Sequence, residues 1–192
     1  EAAVQLGGSL KEKGYSFRMS MIGNGEMEMQ LHDMIREKGL EDCVEMLGAM
    51  PPEEVRRHME KADIYLFTSD FNEGWGAVLN ESMNSGCAVV ASHAIGSVPF
   101  LIKNGENGLI YENGNQLDLE KQVLRLLEDG AFRKKIAENA YETMINLWNA
   151  ETAAERFLTL TEKLLKNENT DSLFLDGPCS KAAILKNDWY QH

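Results

Sequence analysis

Short, mainly apolar runs alternate with amphipathic segments along the first 111 residues of the chain. In the amphipathic segments the apolar residues recur at helical spacing, as in Met27, Leu31, Met34 and Ile35. The apolar runs have the length of strands that a parallel sheet buries on both faces. They are residues 17–22, 44–47, 64–67, 88–91 and 108–111. The alternation predicts an α/β fold, with a Rossmann-like, doubly wound parallel sheet and helices on both of its faces.

The same periodicity predicts the helices and divides the chain. One helix covers residues 1–13, and Pro51 and Pro52, followed by two acidic residues, open another. We divide the chain into a domain of residues 1–166 and a polar tail of residues 167–192, which either has low order or packs on a body outside the chain. Further helices are predicted at 77–85, 98–102, 116–129, 131–147 and 151–166.

Charge and composition exclude several classes of partner. The net charge of −12 repels nucleic acid and anionic lipid. No run of about 18 apolar residues predicts a transmembrane segment, and no secretory signal is visible. Three widely spaced cysteines (Cys43, Cys87 and Cys179) indicate a reducing cytoplasm rather than a disulfide framework. The four histidines show no metal-ligand spacing, so we predict no metal site.

The step from the third predicted strand to the next helix carries the strongest chemical signal. Gly74 and Gly76 let the backbone approach a ligand and free amide groups at the helix start, where a pyrophosphate can dock. Glu81 follows Glu73 by eight positions, which at helical rise separates them by at most roughly 12 Å. Each carboxylate can accept hydrogen bonds from two neighbouring hydroxyls. The spacing therefore suits a nucleotide-sugar, which has hydroxyls at both ends and phosphates between them.

A simpler interpretation of the same residues stays open. A glutamate beside a helix start can serve only to stabilise the helix dipole, and Glu81 can face solvent. Asp70 lies near Glu73 and could form a carboxylate pair with it, although an aspartate in a loop commonly caps a turn. All loops that follow the strands lie at the carboxyl edge of the sheet, where ligands of such folds bind.

Several motifs together resemble the signature of the retaining glycosyltransferases of family 4, which have the two-lobed GT-B fold. The run Glu73-Gly74-Trp75-Gly76, followed by residues 81–92, is similar to the central motif of the family. Other landmarks appear in the family's order, and the resemblance as a whole covers about residues 17–165. They are Ile22-Gly23-Asn24-Gly25, Leu47-Gly48 with Pro51, Gly96-Ser97-Val98-Pro99, and residues 104–110. The resemblance implies that the chain is the C-terminal, nucleotide-sugar-binding lobe of such an enzyme.

The resemblance also implies a role for each matching residue. Glu81 would hold the ribose hydroxyls of the donor, and Glu73, the implied catalytic residue, would face the donor sugar. The glycine-rich turns after the first two strands would flank the base, and Ser69 would border the pocket. The amides of Trp75, Gly76 and Ala77 would contact the diphosphate. The implied substrate-binding residues are Glu81, Gly74, Trp75, Gly76, Ala77, Gly23, Asn24, Gly25, Ala49, Met50 and Ser69. No cofactor or metal is implied besides the nucleoside-diphosphate sugar.

The sequence departs from the family pattern at specific positions. Trp75 stands where phenylalanine is commoner, and Phe100 follows Pro99 where many members carry glutamate. Family members also have an acceptor-binding N-terminal lobe, a first strand and an Arg…Lys pair ahead of the helix that Glu1 begins. We therefore expect a fragment that lacks the first, central strand of the sheet. Such a fragment is either poorly stable, or its strands at 17–22 and 64–67 pair directly.

The implied reaction is retaining transfer of a glycosyl group from a nucleoside-diphosphate sugar to a hydroxyl. The acceptor would be a glycan or a lipid-linked molecule bound by the N-terminal lobe. The expected setting is cell-surface polysaccharide or lipopolysaccharide assembly, in the cytoplasm or peripherally at the inner membrane surface. Two alternatives remain: another enzyme of the GT-B architecture, such as a nucleotide-sugar epimerase or a phosphorylase, and a non-catalytic interaction module that uses residues 116–166.

Overall fold

The computed structural model describes residues 1–182 and 184–190 of the chain. All five predicted strands form, and their ends differ from the predicted bounds by at most two residues. The elements, in chain order, are α1 (Ala2–Glu12), β1 (Met19–Ile22), α2 (Glu28–Glu37), β2 (Val44–Gly48), α3 (Pro52–Met59), β3 (Ile64–Phe67), α4 (Val78–Asn84), β4 (Ala88–Ser92), α5 (Val98–Leu101), β5 (Leu109–Tyr111), α6 (Gln116–Glu128), α7 (Gly130–Asn146) and α8 (Ala150–Leu165).

The strands form two parallel sheets. β1 pairs with β2, and β4 lies between β3 and β5. A doubly wound sheet has the strand order 3-2-1-4-5-6. Here β2 and β1 correspond to its strands 3 and 2, and β3, β4 and β5 correspond to its strands 4, 5 and 6. Its strand 1 would therefore lie between β1 and β3. No strand of the described residues lies there. The expectation that the first strand is missing from this chain agrees with the arrangement. The alternative, direct pairing of 17–22 with 64–67, is wrong.

Helix α1 provides a physical reason why the two sheets do not close on each other. Its Val4 packs in one apolar cluster with Leu40 and Val44, at the side of the β1–β2 sheet. Its Leu6 and Leu10 pack in another cluster with residues of β4 and β5. One helix thus holds both sheets, and moving β1 against β3 would break one of these two sets of contacts. The alternative that the fragment is poorly stable remains a prediction.

The three-stranded sheet carries helices on both faces, as predicted. One face packs on α3, α4, α5 and α7, with Leu79 and Met83 among its fully buried residues. The opposite face packs on α1 and α6, where Leu6 and Leu119 are fully buried. Helix α8 contributes no buried residue to either face. None of the helices in the described part of the chain combines the length and apolarity needed to cross a bilayer.

Side-chain caps account for where the last three helices begin. Asn115, Asp129 and Asn149 each accept a hydrogen bond from the backbone amide three residues further on. Such caps satisfy an amide that the helix itself leaves unpaired, and asparagine and aspartate are among the residues best suited to the position. The predicted starts of these helices lie within one residue of the observed ones.

The tail packs on the domain although it lacks regular structure. Residues 167–182 and 184–190 contain no helix or strand. Trp189 and Tyr190 nevertheless pack at the edge of the cluster that covers one sheet face. Lys103, after α5, forms an ion pair with Asp176 of the tail. The described part of the tail therefore contacts this domain, and its packing on an outside body stays a prediction. Residues 183, 191 and 192 of the predicted tail lie outside the described residues.

Candidate functional site

The β3–α4 loop, residues 68–77, is fastened to the loop that follows β4. The amide of Gly96 donates to the carbonyl oxygen of Gly74 at 3.0 Å, and the amide of Ser97 donates to that of Trp75 at 3.1 Å. A Cβ atom at position 96 would lie 2.2 Å from the Gly74 oxygen, so only glycine allows this approach. The two loops therefore form one unit at the carboxyl edge of the sheet.

Gly76 turns the chain into α4 in a conformation that suits glycine. Its φ angle is +73°, and a Cβ atom there would lie 2.7 Å from the ring of Phe67. Among the described residues, the amides of Trp75, Gly76 and Ala77 donate hydrogen bonds to no other group. Backbone donors left in this way require water or a ligand. Three consecutive free amides beside a helix start form a place that attracts an anion.

Glu73 and Glu81 lie on either side of these amides along the chain. Glu73 is half-buried in the loop, whereas Glu81 is exposed. Because α4 begins only at Val78, Glu81 lies in its first turn. The sequence had suggested a position further inside the helix. Most of the residues between the two glutamates are therefore not helical, and helical rise does not set their separation. The acidic group in the first turn also stabilises the helix dipole.

Glu73 and Glu81 both affect the pKa of the same residue, Tyr65 on β3. Burial is the largest cause that raises the pKa of Tyr65, to about 12, and Cys87, Glu81 and Glu73 raise it further. Both carboxylates thus act on the same hydroxyl. Within the described part of the chain, neither carboxylate accepts a hydrogen bond. Both remain available to hydroxyl groups of a ligand.

An open cavity of about 400 Å³ borders the first half of the loop. It is lined by Thr68, Ser69, Asp70, Asn72 and Glu73. Ser69 and Glu73, both predicted site residues, therefore face the same space. The carboxylate of Asp70 accepts hydrogen bonds from the amide and the side chain of Asn72, at 2.8 and 3.2 Å. Asp70 thus caps the turn, in agreement with the simpler interpretation of this residue.

The two predicted base-flanking turns lie side by side. The amide of Gly23 donates to the carbonyl oxygen of Gly48 at 2.8 Å, which brings Gly23–Gly25 next to Ala49 and Met50. These turns follow β1 and β2, across the gap from the β3–α4 loop. No hydrogen bond between described residues joins the turns to that loop. A larger cavity, of about 510 Å³, lies away from both, at the amino end of β1.

Sequence reasoning missed His93, which is 7% exposed in the loop after β4. Its ring lies edge-to-face against Phe71 of the β3–α4 loop, with centroids 5.5 Å apart. On its other sides it contacts the rings of Trp189 and Tyr190. The adjacent aromatic residues Trp189 and Tyr190 were a signal that this part of the tail packs on something, but they did not indicate His93 as the contact. No group of three or more potential metal ligands occurs among residues 1–182 and 184–190.

Comparison with known protein families identifies the family of this chain. The sequence model of the family described as "Glycosyl transferases group 1" matches residues 2–143. The chain belongs to this family. The amylovoran biosynthesis glycosyltransferase AmsK of Erwinia amylovora is 31% identical over 167 residues, which are 84% of this chain and 41% of AmsK. The chain therefore spans less than half the length of this relative.

Solved structures of the same fold include one of an isolated C-terminal domain. The C-terminal domain of the group 1 glycosyl transferase LpcC from Francisella tularensis is 25% identical, with a TM-score of 0.68 over 75% of this chain and 76% of that one. TarM of S. aureus is 23% identical, with a TM-score of 0.71 over 83% of this chain and 32% of TarM. The predicted fold, that of a C-terminal lobe of a GT-B glycosyltransferase, is confirmed.

Proposed function

We propose that this chain binds a nucleoside-diphosphate sugar for a glycosyltransferase of the retaining family 4 type. The observation that carries the proposal is the run of amides at Trp75, Gly76 and Ala77, flanked by two carboxylates, all of which lack a hydrogen-bond partner among the described residues. The amides can meet a diphosphate, and the carboxylates can accept hydrogen bonds from the hydroxyls at the two ends of the donor. The crystal structure of TarM, a protein of the same fold, contains UDP.

Each part of the donor has a proposed contact. The ribose hydroxyls bind Glu81, and the sugar occupies the cavity beside Ser69 and Glu73. Glu73 is the residue that faces the reacting sugar, and Gly74 allows the backbone to come close to it. The base lies against the adjacent turns at Gly23-Asn24-Gly25 and Ala49-Met50, across the gap in the sheet. Negative charge develops on the departing diphosphate during transfer, so the loop amides would stabilise the transition state most directly.

The net charge of the chain makes the backbone donors important. A charge of −12 repels an anionic donor over long distances. The amides at residues 75–77 supply local positive potential without any basic side chain, because their partial charges are fixed by the loop. Gly96 keeps them in place through its hydrogen bond to Gly74. No cofactor besides the donor substrate is part of this proposal.

The acceptor is proposed to bind to another lobe of the whole protein. The chain spans 41% of AmsK, so most of that relative lies outside the matched region. On helix α8 the side chains of Phe157, Leu158 and Leu165 are 62%, 63% and 79% exposed, which suits packing against another body. AmsK is named for amylovoran biosynthesis, and LpsE of Rhizobium meliloti (26% identical over 73% of this chain) for lipopolysaccharide core biosynthesis. We therefore propose a glycan or lipid-linked acceptor in cell-surface polysaccharide assembly, at the cytoplasmic side of the inner membrane.

Calorimetric titration with UDP-, GDP- and ADP-sugars tests the proposal. We expect the chain to bind one of them, and the Glu81→Ala variant to bind it about tenfold more weakly, because a hydrogen-bonded charged group is lost. The matched control is Glu155→Ala, an exposed glutamate on α8, which should bind as the wild type does. Absence of binding to all three donors would contradict the proposal and favour the interaction-module alternative. Conversion of the donor sugar into its epimer would favour the epimerase alternative.

A further inference from the structure

His93 stands between the β3–α4 loop and the end of the chain. Its ring lies edge-to-face against Phe71, with an angle of 84° between the ring planes. On another side it stacks on Tyr190, with centroids 5.7 Å apart and planes 25° from parallel. Trp189 lies at its edge, with centroids 6.2 Å apart. The imidazole is therefore enclosed by aromatic rings from two distant parts of the sequence.

Hydrogen bonds fix the tautomer of this imidazole. The backbone amide of Asn113 donates to Nδ1 of His93 at 2.9 Å. A neutral imidazole has one donor and one acceptor nitrogen, so Nε2 carries the hydrogen and donates to the carbonyl oxygen of Asn187 at 3.0 Å. In return, the indole nitrogen of Trp189 donates to the carbonyl oxygen of His93 at 3.2 Å. Tyr190 donates its hydroxyl to the carbonyl oxygen of Ile110 at 2.7 Å.

The two halves of the β3–α4 loop are anchored differently. The second half is fastened by the hydrogen bonds from Gly96 and Ser97. Within the described part of the chain, residues 70–73 form hydrogen bonds only among themselves. The contact between Phe71 and His93 is what ties this first half to the domain. Asp70, Phe71 and Asn72 are all exposed, Phe71 by 47%, so this half of the loop is only partly packed.

We propose that His93 is a positioning residue for the donor-binding loop, and that residues 187–190 form a strap that holds its imidazole against Phe71. The inference rests on the proposed function, because the first half of the loop carries Glu73 and lines the cavity assigned to the donor sugar. A loop that is already ordered before binding loses less conformational freedom when the ligand binds, so the protein binds the ligand with higher affinity. The strap thus couples the C-terminal segment to the sugar end of the site without touching the donor.

The test uses the full chain and whichever nucleoside-diphosphate sugar the wild type binds most tightly. We expect His93→Ala to weaken binding about fivefold, and Trp189→Leu to weaken it by a similar factor. His93→Gln keeps one acceptor and one donor but has no ring to contact Phe71, so it should weaken binding about as much as His93→Ala does. The free nucleoside diphosphate should lose less affinity than the donor, since it does not reach Glu73. Asp171→Asn, which breaks the exposed tail ion pair with Lys181, is the control and should bind as the wild type does.

Amide hydrogen exchange separates positioning from a merely structural role. Exchange of residues 70–73 should become faster in His93→Ala and Trp189→Leu, and stay unchanged in the control. If the wild type binds a donor and these variants bind it equally well, the inference is wrong while the proposed function stands. A lower melting temperature with unchanged affinity and unchanged exchange at 70–73 overturns the inference in the same way. If the wild type binds none of the donors, the proposed function fails and the inference fails with it.

Discussion

The indole ring of Trp75 stacks on the ring of Phe100, with centroids 5.8 Å apart and planes 24° from parallel. These are the two positions at which the central motifs depart from the pattern of the family that the sequence resembles. The indole nitrogen of Trp75 also donates to the side-chain oxygen of Asn80 at 2.9 Å, and Trp148 packs at a tilt against the same ring. The two departures are thus in contact, and each supplies the aromatic surface that the other packs on.

Removal of the Phe100 ring should loosen the β3–α4 loop. We expect Phe100→Ala to lower the free energy of unfolding by about 1–2 kcal/mol, since a stacked aromatic pair contributes beyond its buried area. Denaturant unfolding measures the change. Leu117→Ala is the control, because Leu117 is 81% exposed and its loss should change stability little. Equal stability of the two variants would show that the stack does not support the loop.

An added methyl group at Gly96 should disturb the site more than the fold. The Cβ atom of Gly96→Ala would lie 2.2 Å from the Gly74 oxygen, so the two loops must separate. We expect a loss of about 1–3 kcal/mol in unfolding free energy and a larger relative loss of donor affinity, because the amides at 75–77 move with Gly74. Gly130→Ala, at the start of α7, is the matched control, since its nearest contact is 3.8 Å away at the side chain of Arg133. Donor binding that survives in Gly96→Ala would contradict the role of the two joined loops.

The sequence predicts the strands and most helix bounds because their signals are local. Apolar runs, helical spacing and capping residues such as Asn115 and Asn149 all act within a few positions. The start of α4 was placed a residue too early, because Ala77 has helical dihedral angles but is the N-cap residue, directly after the turn at Gly76 with its φ of +73°. Glu81 consequently lies nearer the helix start than predicted, and it is exposed, as the simpler interpretation allowed. Its role at the ribose stays a prediction.

Contacts between distant segments were beyond sequence reasoning. Nothing local to His93 indicates that Trp189 and Tyr190 meet its ring, because the residues are almost a hundred positions apart along the chain. The distance between Gly96 and Gly74 is likewise a property of the packed loops and not of either motif. The predicted roles of Glu73 and Glu81 stay predictions. The structure adds that both carboxylates act on Tyr65 and that neither accepts a hydrogen bond from a described residue.

Tyr111 should make the stability depend on pH in the alkaline range. Burial raises the pKa of Tyr111 to about 12, from an ordinary value of 10.0. The folded state therefore holds the phenolic proton more tightly than the unfolded state. The resulting stability is fully present below pH 10 and is lost as the pH rises from 10 towards about 12. The loss should be roughly 2 kcal/mol, which denaturant unfolding across this range measures.

The Tyr111→Phe variant provides the control for this pH dependence. It lacks the titrating group, so its unfolding free energy should fall less steeply in the same range. Tyr65, whose pKa burial also raises to about 12, continues to titrate in that variant. Its contribution, with that of the buried Cys87 thiol, whose pKa is raised to about 11, should leave a smaller residual slope. The double variant with Tyr65→Phe should reduce this slope further. An unchanged slope in Tyr111→Phe would contradict the assignment.

The gap between β1 and β3 should be visible in the order of amide exchange. β4 is paired on both sides and buried at every position, whereas β3 has one open edge and Ile64, Tyr65 and Leu66 are half-exposed. We expect the amides of Ala88–Ser92 to exchange slowest, and those of Met19–Ile22 and Ile64–Phe67 to exchange faster, because unpaired edges open without global unfolding. β1 and β2 pair only with each other among the described residues, so both have an open edge, and that sheet should open first. Equal protection of β3 and β4 would mean that the open edge of β3 is covered in solution, by a second copy of the chain or by rearrangement. Sedimentation of the same sample distinguishes those two cases, since only the first doubles the mass.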